Sequence, residues 1–136
     1  MIRYTESLEE ITAETLDGFF VGWADSRTSE EHMEILRGSD HVVLAIDKRQ
    51  VVGFATALTD GIQTAFVSLL EVLPSHQDRG IGTQLMRRLF ERLEEIPCVD
   101  LTCDPELQPF YARFGMIPSV GMMLRHPRLP HEMQTR

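Results

Sequence analysis

No run of about 18 consecutive apolar residues occurs in the chain, which excludes a membrane-spanning helix. Cysteine is scarce. Cys98 and Cys103 are the only two, five residues apart on one expected strand, where opposite-facing side chains could not bridge. The opening stretch MIRYTESLEE is too polar for a secretory signal, and with so few thiols the expected home is the reducing cytoplasm. Positive charge is also short, with 13 Lys plus Arg against 21 Asp plus Glu and a net charge of −8. That balance argues against a nucleic-acid partner and mildly favours small cations such as amines, although acidic composition also serves solubility. His32, His41, His76, His126 and His131 have no metal-ligand spacing, so no metal is expected. Repeats and low-complexity tracts are absent.

What is present is enough for one core. In a chain of 136 residues, 43% of them hydrophobic, folding buries about two-thirds of the surface. A single domain over 1–126 and a loose tail over 127–136 are expected. Residues 2–5 read as a short strand, and 7–22 and 29–37 have helix-compatible spacing, the second behind an N-cap at Thr28. HVVLAID and VVGFATAL form a hairpin around Lys48, Arg49 and Gln50. After the Asp60-Gly61 turn, TAFVSLLEVL is an almost wholly apolar strand, stopped by Pro74. Ile81, Leu85, Leu89 and Leu93 repeat every four residues, which predicts an amphipathic helix of about four turns. CVDLTC then reads as a strand, 105–114 as a short helix closed by Gly115, and SVGMMLR as a last strand. The class is mixed α/β.

The stretch SHQDRGIGTQ, residues 75–84, puts a glycine-bearing turn between a strand and a helix. Unpaired backbone N–H groups and the positive end of the helix dipole converge there, which suits a phosphate or pyrophosphate. Gly80 and Gly82 lack a Cβ, so an anion can approach the main chain at both; a tight turn with close helix packing would use the same residues. The lysine and hydroxyl of a nucleotide P-loop are missing, and Leu85 stands where a dinucleotide fingerprint needs its third glycine.

LLEVLPSHQDRGIGTQLM resembles the acetyl-coenzyme A signature of the Gcn5-related N-acetyltransferase (GNAT) superfamily, Gln/Arg-x-x-Gly-x-Gly/Ala, at Gln77, Gly80 and Gly82. Farther on, PFYARFGM is similar to that family's Phe-Tyr-x-x-x-Gly-Phe helix at Phe110, Tyr111 and Gly115, with Met116 in place of Phe. The resemblance runs from the hairpin at 42–59 through the last strand. It implies a central sheet of six to seven strands, splayed between the fourth and fifth and flanked by about four helices.

It further implies acetyl-CoA as cosubstrate. Its pantetheine would pair with the backbone around Glu71, Val72 and Leu73, and its pyrophosphate would lie against Gln77, Asp78, Arg79, Gly80, Ile81, Gly82 and Thr83. A bulge in the preceding strand would aim an oxyanion donor. Tyr111 would protonate the leaving thiolate, or serve as a packed aromatic, while Phe110 belongs to the core. Thr102 and Asp104 stand where the family often has Asn, a departure from its pantetheine-contacting pattern at that position. Glu71, the one ionisable residue in its apolar strand, is a candidate base for the ammonium of the acceptor, or a carboxylate with a partner or an outlet to solvent. Ser68 could help lead protons out.

Trp23 and Met33 could shape an acceptor pocket or simply pack; Cys103 beside Asp104 is a nucleophile by residue type but has no companion His at a known position and reads as a small core residue, and the pair Met122 and Met123 as strand filler. The implied reaction acetylates a primary amine on a small molecule or peptide by direct attack in a ternary complex, without metal, nucleic acid or membrane. The alternative is a non-catalytic acyl-CoA-binding regulatory module of the same fold. A homodimer accords with the resemblance.

Overall fold

A computed structural model describes residues 1–20, 22–23 and 26–126 of the chain. The tail expected over 127–136, with His131, lies outside the described residues. Five strands form one sheet in chain order: β1 (Ile2–Thr5), β2 (His41–Asp47), β3 (Gln50–Thr59), β4 (Thr64–Val72) and β5 (Cys98–Asp100). The first three junctions are antiparallel, while β4 and β5 run parallel, joined by a crossover through α2 (Ile81–Arg92). The remaining α-helices are α1 (Ser29–Gly38) and α3 (Gln108–Ala112).

Alternation along the central strands feeds two cores. Val43 and Ala45 face a cluster completed by Ile81, Leu85, Met86, Leu89 and Leu93 beneath α2. Val42, Leu44 and Ile46 face Leu16, Phe19, Phe20, Met33 and Leu36 on the other side. The four-residue apolar spacing of α2 is therefore its buried face, and Arg87, Arg88 and Glu91 remain exposed. At the start of α1, Thr28 Oγ1 accepts from the Glu31 N–H at 3.1 Å, and the Glu31 carboxylate accepts from the Thr28 N–H at 3.0 Å. This reciprocal cap is why the chain turns helical there. Among the described residues no helix is long and apolar enough to cross a membrane.

Three expectations are corrected. The helix over 7–22 is only a 3-10 turn at Ala13–Leu16; Gly18, Phe20 and Gly22 have φ of +98°, +66° and +84°, backbone that no right-handed helix can contain. SVGMMLR forms no strand: residues 116–126 carry no regular secondary structure and join no ladder of the sheet. The described sheet accordingly has five strands rather than six or seven, and there are three α-helices and three single 3-10 turns rather than about four helices.

Candidate active site

The parallel junction is short. Thr64, Ala65 and Phe66 pair with Cys98, Val99 and Asp100, and β4 then continues to Val72 with no partner on that side. This opens a wedge between the two strands. Opposite it, the β3 ladder steps from Thr56–Leu69 to Ala57–Val67, leaving Ser68 as an extra residue. The Ser68 hydroxyl shares a 2.8 Å hydrogen bond with that of Thr56, which is fully buried. The Leu73 N–H donates to the Val52 carbonyl at 2.8 Å, so residue 73 turns its backbone toward β3. By alternation the main chain of Leu70 and Val72 faces the wedge. Gln77 closes its end by donating from Nε2 to the Val72 carbonyl at 3.0 Å.

The glycine loop lies at this end. Gly80 is the N-cap of α2 at φ +80°, a conformation that favours glycine. Asp78 is also left-handed, at +64°. A Cβ on Gly82 would meet Phe110 Cζ at 3.7 Å and Val72 Cγ2 at 4.0 Å, ordinary contacts that the protein would accept. Close helix packing therefore does not require a glycine at 82; it is tighter at Gly53, where a Cβ would come to 3.1 Å from Leu85 Cδ1 and 3.3 Å from Ile81 Cγ2, so that those side chains would have to give by a few tenths of an ångström. Gly53 lets the first turn of α2 seat against β3, and so fixes the height of the loop. Its signal in the sequence was a glycine inside a strand pattern. Before the loop, His76 Nε2 bonds Asp47 Oδ2 at 2.9 Å and Nδ1 bonds Ser75 Oγ at 2.7 Å, tying the turn to the hairpin. The His76 hydrogen bond holds the Asp47 carboxyl below its ordinary range.

Glu71 and Tyr111 approach the wedge from opposite faces. Leu69, on the same face of the strand as Glu71, packs on the α1 side, whereas Leu70, Val72, Phe110 and Tyr111 pack on the α2 side; Leu73, at the strand end, touches both clusters. Both Glu71 carboxylate oxygens accept from the Phe20 N–H, at 3.3 and 3.2 Å. Burial raises the carboxyl pKa, partly opposed by that N–H. Of the readings left open, the partner is thus a main-chain donor in the Gly18–Gly22 loop, a contact invisible in the sequence because it spans 51 positions. Trp23 meets Phe20 edge to face at 5.0 Å and is partly exposed, while Met33 is buried.

Tyr111, on α3, packs edge to face with Phe110 at 4.9 Å. Burial raises its phenol pKa, with Cys103 adding to the effect, so it stays protonated at neutral pH. Thr102 and Asp104 are exposed at the end of β5. Arg113, which the sequence reading passed over, donates from Nη2 to Thr83 Oγ1 at 2.7 Å and lies 4.9 Å over the Phe110 ring. It ties α3 to the first turn of α2 and places a guanidinium beside the loop. Asp78 and Arg79 are exposed there, and Ile81 is buried. Among the described residues, no group of His, Cys, Asp and Glu could hold a metal ion.

The profile of the family described as "Acetyltransferase (GNAT) family" matches residues 8–116. The chain is similar to the crystal structure of a Deinococcus radiodurans R1 protein assigned as an acetyltransferase: 41% identity, TM-score 0.88, covering 91% of this chain and 87% of that one. It is also similar to the GNAT family protein SP0256 from Streptococcus pneumoniae TIGR4, at 28% identity and TM-score 0.68, covering 94% and 98% of the two chains. The uncharacterized N-acetyltransferase ycf52 of Pyropia yezoensis is 28% identical over 103 residues, 71% of this chain and 59% of that protein. Against its Gracilaria tenuistipitata var. liui counterpart, the match is 32% over 72 residues and spans 40% of that protein's length.

Proposed function

The chain belongs to the GNAT family of acetyltransferases, and from that premise we propose that it moves the acetyl group of acetyl-CoA to a primary amine by direct attack in a ternary complex. The observation that carries this reading is the unpaired stretch of β4 beyond Phe66, closed by the glycine loop and flanked by Glu71 and Tyr111.

In this reading the pantetheine arm lies in the wedge as an added strand, using the main chain of Leu70 and Val72. The pyrophosphate lies against the N–H groups of residues 80–83, with Arg113 beside it. An amine with a lysine-like pKa is neutral roughly once in a few thousand molecules at pH 7, so a base must take its proton. Glu71 does so. The nitrogen then attacks the thioester carbonyl, with a main-chain N–H at the Ser68 bulge as donor to the oxyanion. As the carbon–sulfur bond breaks, the phenol of Tyr111 gives its proton to the thiolate, and the remaining surplus proton on the attacking nitrogen leaves to restore the neutral phenol. The products are coenzyme A and an N-acetyl amine. The acceptor is a small molecule or the amine of a peptide, and two free cysteines suit a reducing cytoplasm.

Coenzyme A release, followed with a thiol reagent over a panel of amines, tests the reading. Release should depend on the acceptor, and Tyr111→Phe should lower kcat by roughly 10²-fold at unchanged acetyl-CoA affinity, the low end for a general acid because a thiolate leaves readily. Tight acetyl-CoA binding with no acceptor-dependent release would identify a non-catalytic acyl-CoA-binding module instead. Full kcat in Tyr111→Phe would reduce the phenol to packing.

A further inference from the structure

Ser75, His76 and Asp47 form a chain of hydrogen bonds at the turn between β4 and α2. Ser75 Oγ lies 2.7 Å from Nδ1 of the His76 ring, and Nε2 of the same ring lies 2.9 Å from Asp47 Oδ2. The Asp47 and His76 side chains are only 28 and 16% exposed, whereas Ser75 stands open to solvent.

Asp47 decides where the protons lie. Its carboxyl is held below the ordinary range, chiefly by the His76 hydrogen bond, with the N-terminal amine and Lys48 adding to the effect. It is therefore ionised at neutral pH and can only accept, so Nε2 carries a proton and donates it. In the neutral ring Nδ1 is left with a lone pair, and the Ser75 hydroxyl is the donor to it. A hydroxyl that donates to an imidazole whose far nitrogen is held by a carboxylate is an activated nucleophile. The carboxylate is itself fixed, because Asp47 is paired with Ile2 and Gln50 in the sheet. The main chain adds a further part. The His76 N–H is committed to the Leu73 carbonyl at 2.8 Å, but that of Ser75 has no acceptor among the described residues. It is a donor, on the same residue as Oγ, for the oxygen of a carbonyl under attack.

We propose that Ser75 is an acyl-accepting nucleophile that gives this chain a second activity, the hydrolysis of small carboxylic esters. Ser75 Oγ adds to the ester carbonyl carbon while its proton passes to His76 Nδ1, and Asp47 holds the resulting imidazolium through Nε2–H. The bond from that carbon to the alcohol oxygen breaks, and the alcohol leaves with the Nδ1 proton. Water then adds to the acyl-serine and gives a proton to Nδ1. When the bond to Ser75 Oγ breaks, that proton returns to Oγ and a carboxylic acid is released. Because Ser75 is exposed in a turn, a short acyl group on a good leaving group suits it better than a bulky ester. Turnover is slow, since one oxyanion donor is in place and each such donor is worth on the order of 10²- to 10³-fold. The activity needs no coenzyme and does not depend on the acetyl transfer proposed above.

The test uses the full chain and para-nitrophenyl acetate, without acetyl-CoA. Nitrophenolate release should exceed the buffer rate, and mass spectrometry after an acid quench should find an acetyl group on Ser75. Ser75→Ala changes an exposed side chain, so the melting temperature should hold while release falls by on the order of 10²-fold or more. Asp47→Asn, equal in size, should slow acetylation of Ser75 by on the order of 10²- to 10⁴-fold. Nitrogen NMR of the imidazole separates chemistry from mere structure: the His76 proton should be on Nε2 in the parent chain and should populate Nδ1 in Asp47→Asn. No release above buffer overturns the proposal, as does an acetyl group carried by another residue. So does a rate that survives Ser75→Ala or Asp47→Asn, or a His76 proton on Nδ1 in the parent chain.

Discussion

Glu71 is half-buried, and its two carboxylate oxygens share the single N–H of Phe20. Burial destabilises the anion, and one shared donor offsets only part of that, so the pKa lies above the ordinary 4.5. For a base this is an advantage, since proton affinity rises toward the working pH. It also gives a pH signature. The acid limb of the kcat/KM profile should lie above the ordinary 4.5, with the rate falling as Glu71 protonates. Glu71→Gln keeps an amide oxygen for the Phe20 N–H, so the melting temperature should hold while kcat drops roughly 10²- to 10⁴-fold near neutral pH, the difference narrowing as pH falls through the Glu71 pKa. A profile with the same acid limb in Glu71→Gln would move the role to another group. Phe20 itself, left-handed without being glycine, stores about 1–3 kcal/mol of strain. The buried ring among Phe19, His32 and Phe54 holds it in place.

At the scale of elements, the working part is the end of β4, the loop and the start of α2. Pro74 ends the strand, the bond from His76 to Asp47 pins the turn, and Gly80 reverses the chain into the helix. Gly53 allows α2 to approach β3 closely, so the N-terminus of α2 is held against the sheet rather than floating. An anion at that N-terminus meets N–H groups whose positions are already fixed. Gly82→Asp should therefore abolish detectable coenzyme A binding by adding both bulk and negative charge. The fold should survive, because the first added atom finds only ordinary contacts with Phe110 and Val72. Calorimetry checks affinity and circular dichroism checks the fold; unchanged affinity would remove the loop from the site.

Across the whole molecule, the sheet separates two cores, and one of them contains His32. Its ring is 1% exposed and packed against Phe19, Phe20 and Phe54, with neither nitrogen hydrogen-bonded. Burial lowers its pKa from 6.5 to about 4. The folded chain keeps the ring neutral while the unfolded chain protonates it, so stability is full above about pH 6.5. It declines as pH falls from there and levels off below about 4. The loss from this group is about 3 kcal/mol. His32→Leu, similar in volume and without orphaned nitrogens, should flatten this part of the curve and leave neutral-pH stability equal or higher. Melting temperatures of both proteins between pH 4 and 7 decide it; parallel curves would mean that His32 does not titrate on unfolding.

The sequence by itself determined the local elements and the loop. The four-residue spacing of Ile81, Leu85 and Leu89, the cap at Thr28, the β-branched hairpin and the pair Gly80 and Gly82 each depend on neighbours a few positions away, and each has a short-range physical cause. Only the tertiary structure decided the rest. The contact between Glu71 and Phe20, the burial of His32 and the strut from Arg113 to Thr83 join residues remote in sequence. Helix-compatible spacing over 7–22 gave way to left-handed backbone at Gly18, Phe20 and Gly22, where the chain folds over the sheet and delivers an N–H to Glu71. SVGMMLR has the composition of a strand, yet a strand exists only when an edge pairs with it, and among the described residues none does.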